Sequence, residues 1–164
     1  MNIRQVERAD AANLAKLMVD VESHSEFMLF EKGERQVTKE GMSKRIATTQ
    51  EQGSAIFIAE SDGQLIGYLF ALRDQVKRTR HRAYLVCGIQ HHWRGKGVGT
   101  ALFKALDDWV LEADIHRLEL TVAVKNKAGV TLYKKAGFQI EGIKQDSLFI
   151  NGEYVDEYNM AKIF

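Results

Sequence analysis

Proline is absent from this chain of 164 residues, where average usage would place roughly eight. That excludes proline-rich linkers and any part for proline in turns or helix starts. Cysteine occurs once, at Cys87, so there is no disulfide framework within the chain. A surplus of one charge is also missing. Lys plus Arg number 23 against 22 for Asp plus Glu, a net +1, whereas a general polyanion binder is far more basic. No stretch approaches the ~18 apolar residues of a membrane span. Met1 to Gln5 lacks the apolar run of a secretory signal. The expectation is a cytoplasmic protein with neither a nucleic-acid nor a membrane partner.

What is present suffices for a folded core. Hydrophobic residues make up 45% and charged residues 27%, which rules out wholesale disorder. No composition break or internal repeat divides the chain, so residues 1–164 read as a single domain. With proline gone, the 13 glycines must supply much of the turn chemistry.

Asn2 to Val6 reads as a short strand. Asp10 opens an amphipathic helix with Leu14, Leu17, Met18 and Val21 on one face. Ser23 to Gly33 is irregular and mixes aromatic with acidic residues. Thr38 is a weak cap for a second helix, carried by Met42 and Ile46 and ending before Gly53. Ala55–Glu60 and Leu65–Leu72 read as strands joined by Asp62-Gly63, a pair suited to the positive φ of a tight hairpin. Arg82–Ile89 is another strand. Val98, Ala101, Leu102, Ala105, Leu106, Trp109 and Val110 then give the clearest helical spacing. Arg117–Val124 reads as a strand and Lys127–Ala136 as a helix stopped by Gly137. Phe138–Ile150 and Glu153–Met160 form a hairpin around Asn151-Gly152. The fold class is α/β with a mixed sheet, in the order βααβββαβαββ.

Between a strand and the clearest helix lies Arg94-Gly95-Lys96-Gly97-Val98-Gly99-Thr100. Glycines there let backbone approach a ligand closely, and free N–H groups at a helix start favour an anion. Arg94 and Lys96 add positive charge, so a phosphate or pyrophosphate is the natural partner. A tight turn with a solvated basic pair would show the same spacing. Val98 and Thr100 flanking Gly99 do not fit a Walker loop. The Gly95, Gly97, Gly99 spacing does not fit a Rossmann fingerprint.

The same residues fit the Arg/Gln-x-x-Gly-x-Gly/Ala signature, and the chain resembles the GNAT superfamily of N-acyltransferases. The likeness continues through Arg117-Leu118-Glu119-Leu120-Thr121-Val122, Asn126, and Leu132-Tyr133-Lys134-Lys135-Ala136-Gly137-Phe138. Glu141-Gly142 and Asn151 to Asp156 resemble the tail of a bacterial subgroup that includes amino-acid N-acetyltransferases. The resemblance implies acetyl-CoA as co-substrate, held in a V-shaped splay between the fourth and fifth strands. Backbone of Ile89, Gln90 and His91 is expected along the pantetheine arm. Arg94, Gly95, Lys96, Gly97, Val98, Gly99 and Thr100 are expected around the pyrophosphate. Asn126 matches an asparagine that contacts the coenzyme arm, and Tyr133 the tyrosine that protonates the departing thiolate. A phenol, with pKa ~10, is chemically suited to that role.

The implied reaction is direct attack of a primary amine on the thioester. Cys87 lies in an apolar strand rather than an electropositive turn, which suits core packing and not nucleophilic catalysis. Backbone N–H near Ile89 to His91 could stabilise the developing oxyanion. Many relatives carry a carboxylate base at the start of the fourth strand, where this chain has Tyr84. Glu119 is the replacement candidate, with a salt bridge to Arg117 or a water relay as alternatives. His91 and His92 are adjacent, and in extended chain would point to opposite faces. No metal site is expected.

By the same resemblance the loop after the first helix covers the acceptor. Glu22 and Glu31 would suit an ammonium group, while Phe27 and Met28 would suit an apolar side chain, with Tyr84 beside them. Gly129 adds backbone freedom to a helix start, at about 1 kcal/mol in helix propensity. The expected activity is acetylation of a small-molecule amine, an amino acid or related metabolite. The alternatives are acetylation of a protein N-terminus and, from another class, a coenzyme A sensor with weak catalysis. A homodimer is compatible with the resemblance.

Overall fold

The computed structural model describes residues 1–164. Eleven elements make up the chain. They are β1 (Asn2–Gln5), α1 (Ala11–Ser23), α2 (Lys39–Glu51), β2 (Ala55–Ser61), β3 (Gln64–Arg73) and β4 (Arg82–Ile89). Then come α3 (Val98–Glu112), β5 (Arg117–Ala123), α4 (Lys127–Lys135), β6 (Gln139–Ile150) and β7 (Glu153–Ile163). The order is the one expected from the sequence. Several ends shift by a single residue, a 3-10 turn at Arg8–Asp10 precedes α1, and β7 runs three residues past Met160.

Local chemistry explains several boundaries. Asp62 and Gly63 take φ of 50° and 75°, and Asn151 and Gly152 take 51° and 79°. These are the positive values a two-residue hairpin turn demands. The Thr38 cap is sound rather than weak, because its Oγ1 accepts the Gly41 N–H at 3.0 Å.

The strands form one seven-stranded sheet in the order β1-β2-β3-β4-β5-β7-β6. Every pairing is antiparallel except β4 with β5. The helices cover both faces. Leu102, Leu106 and Val110 of α3 and Val130 of α4 pack with Leu118, Leu120 and Val122 of β5 on one side. Leu14 and Met18 of α1 and Met42 and Ile46 of α2 pack with Ile58, Tyr68 and Phe70 on the other.

Two irregularities position the functional region. First, β4 and β5 pair only at Arg82 with Arg117, Ala83 with Leu118, and Tyr84 with Glu119. Beyond Tyr84, β4 stays bonded to β3 and β5 to β7, and a gap opens between them. This is the splay that the resemblance implied. Second, Ile66 is an extra residue in β3, since Ala59 pairs with Gly67 while Glu60 pairs with Leu65. Such a bulge shifts the side-chain alternation by one and re-aims the residues beyond it. Ile66 therefore packs on the α3 side and Tyr68, two residues on, packs on the α1 side.

Candidate active site

The N-terminus of α3 stands at the open end of the splay. Its first-turn N–H groups have no partner within the helix. Gly95 and Gly97 turn the chain into it with φ of 71° and 82°, and a Cβ at either would meet nothing within 4 Å. The left-handed backbone and the free space leave the first N–H groups open to an anion. Arg94 Nε donates to the Ile89 carbonyl at 3.3 Å, and Lys96 Nζ lies 5.2 Å from the centre of the Trp93 ring. Both cations are thus held at the turn.

The unpaired edge of β4 runs along the gap. An extended chain can lie there as an added strand would. Of the backbone expected to help, Gln90 is committed elsewhere, because its N–H donates to the Ile66 carbonyl at 2.9 Å. Asn126 is a helix cap, accepting the Gly129 N–H on Oδ1 at 3.0 Å. A Cβ at residue 129 would lie 2.7 Å from Asn126 Nδ2. Gly129 therefore makes room for a folded-back cap, a packing reason that the propensity argument missed.

Tyr133 of α4 is half-buried against the core on the α3 side. Its ring packs edge-on against Phe103 at 5.6 Å and Phe138 at 6.3 Å. Its hydroxyl has no hydrogen-bond partner in the protein, and burial pushes the phenol above the usual tyrosine range. Cys87, Tyr84 and Tyr68 lie within electrostatic reach of it. Burial pushes the Cys87 thiol up to about 12, so it is protonated near neutrality.

On the opposite face, beyond the cover of α1 and α2, a cavity of about 260 Å³ opens. Tyr84, Arg117, Glu119, Thr121, Glu141 and Asn159 line it. The Tyr84 hydroxyl and Thr121 Oγ1 are 2.8 Å apart. Arg117 bonds Glu119 at 2.9 Å and also Glu141. Arg82 Nε lies 3.8 Å from the other Glu119 oxygen. Glu119 is therefore ion-paired to Arg117 through one oxygen, with Arg82 near the other.

The loop after α1, expected to cover the acceptor, departs from expectation at Glu22. Glu22 is buried rather than open to a substrate ammonium, and Arg35 Nε bonds both its oxygens, at 2.7 and 2.9 Å. Arg35 also covers the Phe30 ring, 4.3 Å from its centre. Phe27 and Met28 are half-buried, and Glu31 is exposed. The histidines differ too. His91 and His92 lie in a 3-10 turn, not an extended segment, with rings 3.8 Å apart. His24, at the end of α1, stacks on His91 at 4.9 Å, tying the end of that helix to the turn before α3. Burial, His92, His24 and Arg94 hold His91 below its ordinary pKa. No three His, Cys, Asp or Glu side chains meet as a metal-ligand set.

Comparison with known proteins agrees with this architecture. Residues 3–159 match the acetyltransferase (GNAT) domain family. An L-amino acid N-acetyltransferase of Escherichia coli is 36% identical over 110 residues, 65% of this chain and 66% of that enzyme. Across the first curated relatives the match spans 59% to 66% of their length, under two thirds. A GNAT-family acetyltransferase from Streptococcus pneumoniae has the same fold, with a TM-score of 0.95 and 29% identity over 99% of this chain and 98% of that one. A putative acetyltransferase from Salmonella typhimurium, solved with acetyl-CoA, superposes with a TM-score of 0.89 at 20% identity, covering 99% of this chain and 93% of that one.

Proposed function

The chain belongs to the GNAT acetyltransferase family, and on that premise we propose that it transfers an acetyl group from acetyl-CoA to the primary amine of a small molecule, an amino acid or close relative. The observation that carries this reading is the gap between β4 and β5, with a glycine turn and an open helix start after β4 and the unpartnered phenol of Tyr133 packed on the α3 side.

Acetyl-CoA supplies an activated acyl group and a thiolate leaving group. The N–H groups of Val98, Gly99 and Thr100, with Arg94 and Lys96, bind its pyrophosphate. The free edge of β4 orients the extended arm, near Ile89 and His91. Tyr133 gives its proton to the departing sulfur, and its lack of a protein partner leaves the hydroxyl free to turn toward it. Cys87, protonated and packed on the α3 side, takes no part in a covalent step. Glu119 holds Arg117 in place, so the amine loses its proton through water in the adjoining cavity.

Two features favour an amino acid as acceptor. The cavity has the volume of a small molecule and presents both signs of charge, from Arg117 and from Glu119 and Glu141. A curated relative at 36% identity is named for L-amino acids. The test is an amine panel with acetyl-CoA, read by thiol release and by the mass of the product. L-amino acids should give N-acetyl products, ahead of polyamines and peptide N-termini. Preference for a peptide or polyamine would overturn the acceptor assignment. No release above hydrolysis with any amine would overturn the activity.

A further inference from the structure

Where β4 and β5 stop pairing, at Tyr84 and Glu119, the two faces of the opening differ. On the α3 side Leu118, Leu120, Val122 and Val130 are buried together, and Tyr133 packs on them. On the other face the cavity opens, and an amine that attacks a thioester in the gap comes from there.

The two flanking strands offer that amine few polar groups. Alternation puts Tyr84, Val86 and Gly88 of β4 on the cavity face, with Glu119, Thr121 and Ala123 of β5. The Glu119 carboxylate is taken by Arg117. Two hydroxyls remain. Tyr84 Oη and Thr121 Oγ1 lie 2.8 Å apart, and Thr121 stands two residues past the last paired position of β5. Their hydrogen bond thus bridges the strands just where they part. Tyr84 is 37% exposed and both residues line the cavity, so water and a small molecule reach the pair.

A hydroxyl has one proton to give and two lone pairs to accept with. Neither oxygen bonds another protein group, so the pair keeps one hydrogen and its remaining lone pairs for the cavity. Either oxygen can be the donor, so the bond between them can reverse. An attacking amine needs such an acceptor, one that takes its N–H and leaves the nitrogen lone pair to the carbonyl carbon.

We infer that the Tyr84 and Thr121 hydroxyls form a two-membered relay that holds the attacking amine by an N–H and passes its proton to water in the cavity. The inference rests on the acetyl-transfer reading above. As the carbon–nitrogen bond forms, the nitrogen becomes positive and acidic. Its proton moves to one hydroxyl oxygen, that hydroxyl's own proton moves to the other oxygen, and the second hydroxyl's proton moves to a cavity water. One N–H bond is lost, one O–H bond to water is gained, and each hydroxyl ends with one proton. The thiolate takes its proton separately, from Tyr133.

The test is single-turnover acyl transfer in mixtures of light and heavy water, from acetyl-CoA to whichever amine of the panel is turned over fastest. Wild type, Tyr84→Phe, Thr121→Val and Thr121→Ser are compared. The wild-type rate should depend on the deuterium fraction along a curve, because more than one proton moves in the step. Tyr84→Phe and Thr121→Val should each slow transfer roughly 10²-fold, the usual scale of acid–base assistance, and straighten the curve. Thr121→Ser keeps a hydroxyl and should restore most of the rate and the curvature. Acetyl-CoA affinity should hardly change in any of them. Thr121→Val at the wild-type rate, or Thr121→Ser as slow as Thr121→Val, would overturn the inference. So would slow variants with wild-type curvature, which would make the bridge a strut for the splay. If Thr121→Val does not fold, Tyr84→Phe decides on the same two readouts. If the wild type transfers acetyl to no amine, the acetyl-transfer reading fails first, a result distinct from these.

Discussion

Arg35 closes over Glu22 with its Nε 2.7 and 2.9 Å from the two carboxylate oxygens, and this pair ties the loop after α1 back to the last turn of that helix. Glu22 is 3% exposed, so removing its charge strands a half-buried guanidinium. Glu22→Gln should destabilise the fold by about 3–5 kcal/mol, while replacing both residues by Met should be far milder. Urea unfolding of the single and double variants checks this. A neutral single variant would remove the pair from its structural role.

Tyr133→Phe keeps the aromatic packing on Phe103 and Phe138 and deletes only the proton donor. Turnover should drop by roughly 10² or more. Acetyl-CoA affinity, measured by calorimetry, should stay close to wild type. Unchanged turnover would take Tyr133 out of the acid role.

Gly97 holds φ of 82°, so Gly97→Ala strains the turn by about 1–2 kcal/mol. The resulting shift should weaken coenzyme A binding. Turnover with acetylpantetheine, which lacks the pyrophosphate, should change little. Equal losses with both donors would place the effect elsewhere than at the pyrophosphate.

Much of the fold and the glycine turn before α3 was legible in the sequence. Asp62-Gly63 and Asn151-Gly152 announce hairpins because few other pairs tolerate both φ values. The glycine turn announces an open helix start because its spacing lets Gly95 and Gly97 take positive φ. Other features depend on contacts that no local pattern encodes. A period-two reading of β3 puts Ile66 and Tyr68 on one face, and only the bulge separates them. Glu22 reads as a free carboxylate until the loop brings back Arg35, 13 residues later. Glu119 reads as a base or as a partner of Arg117, and only the fold brings Arg82 beside it as well.

A stability profile tests the anchoring of β1. Arg4 bonds both Asp10 oxygens at 2.8 Å and also Glu60. The Arg4 hydrogen bond holds the Asp10 carboxyl below its ordinary range. A depressed carboxyl contributes stability above its unfolded pKa, about 4, and loses it as pH falls through the lower folded value. Unfolding of the wild type and Asp10→Asn should therefore differ at pH 6 and converge as pH drops below 4. A gap constant with pH would contradict the ion pair.

The central claim is direct transfer from thioester to amine without an acyl-enzyme. Single-turnover quenching with acetyl-labelled acetyl-CoA and an L-amino acid tests it, in the wild type and in Cys87→Ala. The expected result is label passing to the N-acetyl amino acid at similar rates in both proteins, with none on the chain at any time. Label on the protein before product, or its loss in Cys87→Ala, would contradict it.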